Sequence, residues 1–224
     1  MRKYRDVFLI TIIHTILILT STLFVTIITN RVTNVYVYSV LNTILLVIVY
    51  YNIYMLIYKF LVDNIEIKHK TNKTKITTYI TILIFIMFTN SILLSQFESN
   101  FINLSVYSVL PKLNLILDTS SKLLVYLLSL FIQTCLIAPV AEELIYRKFI
   151  LNNLLDNGNA FKSIVLSSFL FSIYHLNLLQ GINAMMIGIF LGYLYYKTCS
   201  INICILLHFV NNFINFIILT IFII

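Results

Sequence analysis

The stretch Ala138-Pro-Val-Ala-Glu-Glu-Leu-Ile-Tyr-Arg147 sets two adjacent carboxylates, Glu142 and Glu143, inside an apolar run, with an arginine one helical turn after the second. The chain has eight acidic residues, and the other six fall in termini, loops or helix ends. An acidic side chain at the centre of a membrane helix costs about 2.5–3.5 kcal/mol even on lenient insertion scales. Two side by side therefore signal function rather than decoration. His175 and His208 are also flanked by apolar residues. Together these groups point to water-dependent chemistry at membrane depth.

Composition sets the class. Of 224 residues, 60% are hydrophobic and 10% charged, and the mean hydropathy is +0.98. A soluble domain of this length cannot hide so much apolar surface, so the solvent is lipid. Four glycines and two prolines leave few loops, and long helices follow. The fold expected is all-α, a polytopic transmembrane bundle with about seven spans. The net charge of +7 is gathered at segment ends and in one linker. It reads as a membrane-orientation signal and not as a nucleic-acid footprint. Cys135, Cys199 and Cys204 form no C-x-x-C pair and read as structural thiols.

A membrane span needs about 20 apolar residues, and seven segments qualify: Val7 to Thr29, Val35 to Val62, Thr78 to Leu94, Lys122 to Leu155, Phe161 to Leu179, Ile182 to Tyr196, and Ile201 onward. The first lacks a small-residue cleavage site and reads as a retained anchor. Residues 1–95 thus hold three N-terminal spans and 122–224 the core. An interfacial stretch, 96–121, joins them, with a short helix expected over Val106 to Leu117. The fourth span is too long for one upright crossing, and Pro139 is expected to kink it. Arg2, Lys3 and Arg5 before the first span, and Lys68, Lys70, Lys73 and Lys75 after the second, put both ends inside. The expected location is a multi-pass chain in a bacterial cytoplasmic membrane with the N-terminus inside.

Depth brings the polar residues together. Asp156-Asn-Gly-Asn is a turn signal. Glu142 lies fifteen residues before Asn157 and His175 eighteen after it. Both are then roughly 22–27 Å along their helices from a shared turn, at about 1.5 Å per residue. His208 starts from another turn on the same side, near Cys199-Ser200, and is shallower by about two helical turns. Helix tilt has to supply the difference. Glu143 and Arg147 are spaced i, i+4 in the favourable order for an ion pair. Glu142 is rotated about 100° away and stays free of the arginine. Phe171 with His175 and His208 with Asn212 share the same spacing. Ala184, Gly188 and Gly192 form a small-residue stripe that lets a neighbouring helix approach closely.

At these residues the chain resembles the CAAX-protease and bacteriocin-processing (CPBP/Abi) family of intramembrane proteases. That family carries E-E-x-x-x-R, F-x-x-x-H and H-x-x-x-N in order, matched here by Glu142-Glu143…Arg147, Phe171…His175 and His208…Asn212. The sixth-span glycines and the turn Tyr195-Tyr-Lys-Thr-Cys-Ser also fit. The resemblance covers roughly Lys122 to Asn215. It implies peptide-bond hydrolysis in a membrane cavity, with a peptide or membrane-protein substrate and the lipid bilayer as partners. Glu142 would be the general base that activates water, His175 would help hold that water, and His208 with Asn212 would donate to the oxyanion. Glu143 and Arg147 would be an orienting pair.

No H-E-x-x-H is present, and glutamate-based activation needs no cofactor. Glu142, His175 and His208 are nevertheless a donor set for zinc, so a metal stays open at this point. Two other functions compete. An ion-coupled transporter would use intramembrane acids and histidines as relays, but the chain shows none of the internal symmetry such carriers carry. A peptide-binding or immunity protein would keep the fold without catalysis. His14, alone on the first span, reads as an interhelical hydrogen-bonding residue. The tyrosines read as lipid-facing or packing groups.

Overall fold

The computed structural model describes residues 7–17, 19–20, 35–61, 81, 120–155, 159–175 and 178–223. Six helices are defined there: α1 (Val7–Leu17), α2 (Val35–Leu61), α3 (Ser121–Leu155), α4 (Ala160–Tyr174), α5 (Leu178–Thr198) and α6 (Ile201–Ile223). Among the described residues the fold is all-α, without a strand. Two helices there, Ser121–Leu155 and Ile201–Ile221, are long and apolar enough to cross a membrane by length and composition. The expected third span apart from residue 81, the first span beyond Thr20, the lysine-rich linker, the Asp156–Gly158 part of the turn, and the interfacial stretch up to residue 119 lie outside the described residues.

α3 is the hub. Apolar burial drives helices together weakly in lipid, so close packing and polar bonds between helices decide the arrangement. Each of the other five helices shares a side-chain hydrogen bond with α3. His14 Nδ1 of α1 lies 3.2 Å from the Tyr146 hydroxyl. From α2, Thr43 meets Ser129 and Gln133, each at 2.9 Å. Ser167 and Ser163 of α4 donate to the carbonyls of Tyr146 and Leu154 at 2.8 and 3.0 Å. Asn152 donates to the Tyr195 hydroxyl of α5 at 3.0 Å. Asn212 of α6 donates to the Thr134 carbonyl at 2.8 Å. With Tyr50 of α2 beside Glu142 and His208 of α6 beside Glu143, these pairings make α2 parallel to α3, and α4 and α6 antiparallel to it.

The outer face of α3 carries Leu124, Leu128, Ile132, Leu136 and Val140, all exposed and four residues apart. On α2, Val37, Val40, Ile44, Val47 and Ile48 are exposed too. Such continuous apolar faces suit a lipid surround and would be a liability in water.

The small-residue stripe does what its spacing predicts. A side-chain carbon at Gly188 would lie 3.0 Å from Ser168 Cβ and 3.2 Å from Ser168 Cα, and one at Gly192 would meet Ile164 at 3.1 Å. α5 therefore lies directly on α4. The boundary between these two helices differs from the expected one. Span five was expected to reach Leu179 and span six to begin at Ile182; instead α4 stops at Tyr174 and α5 begins at Leu178. Gly181 sits inside α5, where a side-chain carbon would come within 3.3 Å of the Ser172 carbonyl oxygen. The glycine serves close packing and not a turn.

Pro139 likewise acts through hydrogen bonding. The chain keeps right-handed helical dihedrals at Ile137 and Ala138, and a π-helical turn, Ile132–Ile137, precedes the proline. In that turn the Ala138 N–H reaches back five residues to Gln133 O. The next bond in the same register would run from residue 139 to Thr134 O, but proline has no N–H to give. Asn212 fills the gap with its amide at 2.8 Å. A second π-helical stretch, Leu144–Leu151, follows the glutamates, so both carboxylates sit on the short α-helical piece Ala138–Glu143 between two wide turns.

Candidate active site

Glu142 and Glu143 are 4% and 0% exposed, and their partners come from different helices. Glu143 Oε2 faces Arg147 Nε at 3.1 Å, the pairing that i, i+4 spacing allows. Its other oxygen, Oε1, lies 2.9 Å from His208 Nδ1. The opposite ring nitrogen, His208 Nε2, is 3.6 Å from Glu142 Oε2. One imidazole is thus held between two neighbouring carboxylates, and Glu142 makes no ion pair with the arginine. The two-turn deficit in depth of His208 is fully made up in the bundle.

Arg147 is 1% exposed. It is held by Glu143, by the Gly188 carbonyl 3.5 Å from Nη2, and by the Phe171 ring, whose centroid is 5.0 Å from the guanidinium carbon. Breaking such a buried pair from one side leaves an uncompensated charge, which makes it costly. The series Arg147–Glu143–His208 orients the imidazole much as a buried acid orients the histidine of a catalytic triad.

His175 caps the C-terminal end of α4. Its ring centroid is 5.1 Å from that of Phe171 and 5.0 Å from that of Tyr174. Phe171 in turn lies edge-on to His208, with centroids 5.8 Å apart. One aromatic ring therefore bridges the two histidines. Asn212 is engaged on both sides: it donates to Thr134 O and accepts from Asn211 Nδ2 at 3.1 Å. Only one amide orientation satisfies both bonds, and it leaves a second N–H of Asn212 for another acceptor.

The donor set for zinc does not gather. Among the described residues no group of three or more histidine, cysteine and acidic side chains stands in a metal-holding arrangement. His208 has its ring nitrogens on the two carboxylates, and His175 sits among rings.

Sequence reasoning passed over the tyrosines. Tyr50 of α2, 7% exposed, brings its hydroxyl to 3.4 Å from Glu142 Oε1 and 3.2 Å from the Tyr174 hydroxyl. His14 is fully buried, stacks on Tyr174 at 4.5 Å between centroids, and hydrogen-bonds Tyr146 across helices. Position was the available signal. Tyrosine in membrane helices concentrates at the interfaces, whereas Tyr50 lies well inside the 27-residue apolar α2. A hydroxyl at that depth needs a partner.

Searches of curated proteins and of solved structures give no match. Residues 124–214, which hold all three motifs, match the family model described as type II CAAX prenyl endopeptidase Rce1-like, in agreement with the resemblance those motifs carry.

Proposed function

We propose that this chain is an intramembrane endopeptidase that hydrolyses a peptide bond in a membrane-associated or secreted peptide or protein. The observation that carries the reading is His208 held between Glu142 and Glu143, at 3.6 and 2.9 Å, in the segment that matches the protease family. A purely structural ion pair would need Glu143 and Arg147 alone. A second buried carboxylate with no arginine bond gives the site its base.

In the proposed reaction Glu142 takes a proton from a water molecule as the water oxygen attacks the scissile carbonyl carbon. The carbonyl oxygen becomes an oxyanion. A ring N–H of His208 and the second N–H of Asn212 donate to it, and His175 helps hold the water. When the tetrahedral centre collapses, the C–N bond breaks and Glu142 passes its proton to the leaving amine. Donors fixed in advance inside a low-dielectric site are worth about 2.7–4 kcal/mol each in the best-studied cases. Glu143 and Arg147 fix the imidazole and do not touch substrate. We place the chain in a cell membrane, with the N-terminus inside.

The test is to express wild type, Glu142→Gln and His175→Ala at matched membrane levels and to profile membrane and secreted peptides. Specific cleavage products present with wild type should vanish with both variants. Identical peptide profiles, together with altered ion flux, would replace the protease by a transporter.

A further inference from the structure

We propose that Tyr50 of α2 is a positioning residue for Glu142, an inference that rests on the protease reading for its catalytic consequence. Tyr50 lies outside the matched residues 124–214, so the active site of the core would be completed by an N-terminal helix.

The two oxygens of Glu142 have different neighbours. Oε2 faces His208, and Oε1 faces the Tyr50 hydroxyl at 3.4 Å. That distance is long for an O–H···O bond, as is common in resting sites that tighten once substrate is bound. The phenol has a single proton and two acceptors in reach, the carboxylate and the Tyr174 oxygen at 3.2 Å. A bond to a charged acceptor is the stronger of the two. Tyr50 then donates to Glu142, and Tyr174 donates to Tyr50. Two phenols in series end on the base, and each bond polarises the next.

Two features fix this geometry independently of Glu142. Two to three turns back along α2, a polar seam locks the register against α3: Ser129 donates to the Ser39 carbonyl at 3.1 Å, and Gln133 Nε2 donates to Thr43 at 2.9 Å. On the other side, the buried His14 ring packs on Tyr174 and keeps that phenol in place. With Oε1 held, the carboxylate cannot rotate freely, and Oε2 stays beside His208 where the reacting water would be shared.

The experiment compares the full-length protein in lipid vesicles as wild type, Tyr50→Phe, Tyr51→Phe and Glu142→Gln. Tyr51 is the adjacent phenol and points outward, 60% exposed. Turnover of an internally quenched transmembrane peptide gives kcat and KM, and infrared spectroscopy reads the carboxyl band of Glu142, assigned by its loss in Glu142→Gln. Tyr50→Phe should lower kcat by roughly ten- to a hundredfold, the size expected for one bond to a charged group, with KM changed less than about twofold. It should also shift the Glu142 band, while Tyr51→Phe changes neither. Wild-type kcat or an unmoved band in Tyr50→Phe overturns the proposal. If wild type cleaves no peptide, the protease reading fails by itself. The band then decides the bond: a shift keeps Tyr50 as the partner of Glu142, and no shift removes it.

Discussion

Arg147 shows at the residue scale how much a single buried charge holds in place. Its guanidinium answers Glu143 and has no aqueous alternative, so Arg147→Leu should destabilise the bundle by about 3–5 kcal/mol. Thermal unfolding in detergent measures this. Glu143→Gln added to Arg147→Leu should recover most of the loss, because the stranded carboxylate is gone. Asn212 offers a second test. It answers the Thr134 carbonyl that Pro139 leaves without a donor, so the two residues should be energetically coupled. Asn212→Ala alone leaves a half-buried acceptor unmet, costing about 1 kcal/mol. In a Pro139→Ala background the backbone supplies its own N–H, and the same substitution should cost clearly less. Equal costs in both backgrounds would remove this explanation of Asn212. The glutamates, the arginine and the motif histidines were legible in the sequence because charge in an apolar run stands out. Tyr50, Tyr146 and Tyr174 were not, since a tyrosine in a membrane helix looks the same whether it faces lipid or a carboxylate.

At the scale of elements, α3 and α4 pair antiparallel, Ser167 meeting Tyr146 and Ser163 meeting Leu154. Asn159 caps α4 by accepting from the Phe161 N–H at 2.9 Å. The glycine stripe was legible as a place of close approach, and α5 does lie on α4 there. Where α4 ends was not, because His175-Leu-Asn177-Leu carries neither glycine nor proline to mark a break. The π-helical turns were also hidden: the proline marks an irregularity but not its form. Gly188→Ala tests the contact. The new methyl would press on Ser168 Cβ and backbone Cα within 3.0–3.2 Å, and overpacking of this kind costs about 1–3 kcal/mol. Gly181→Ala, which meets a less crowded neighbour, should cost less. At Cys199, φ is +50°, a conformation glycine adopts without penalty, so Cys199→Gly should leave stability equal or higher in the same unfolding assay.

For the whole molecule, the open question is direction across the membrane. From the charges we infer that the N-terminus and the lysine-rich linker lie on the cytoplasmic side. Among the described residues α2 and α3 run in the same direction. In a chain cleared of its native cysteines, a cysteine in place of His69 should react with an impermeant maleimide only after the cells are opened. Labelling of intact cells would reverse the orientation. The class of fold was legible from hydropathy alone. The assembly was not, because it rests on polar bonds between helices far apart in sequence, such as Thr43 with Gln133 and His208 with Glu143.

The most direct measurement of the central claim follows oxygen. Purified protein in vesicles is incubated with membrane peptides in water enriched in oxygen-18, and the products are read by mass spectrometry. Wild type should yield new C-terminal carboxyls carrying one heavy oxygen, and Glu142→Gln should yield none. Labelled termini appearing equally with Glu142→Gln would contradict Glu142 as the base, and no labelled terminus with wild type would contradict hydrolysis itself.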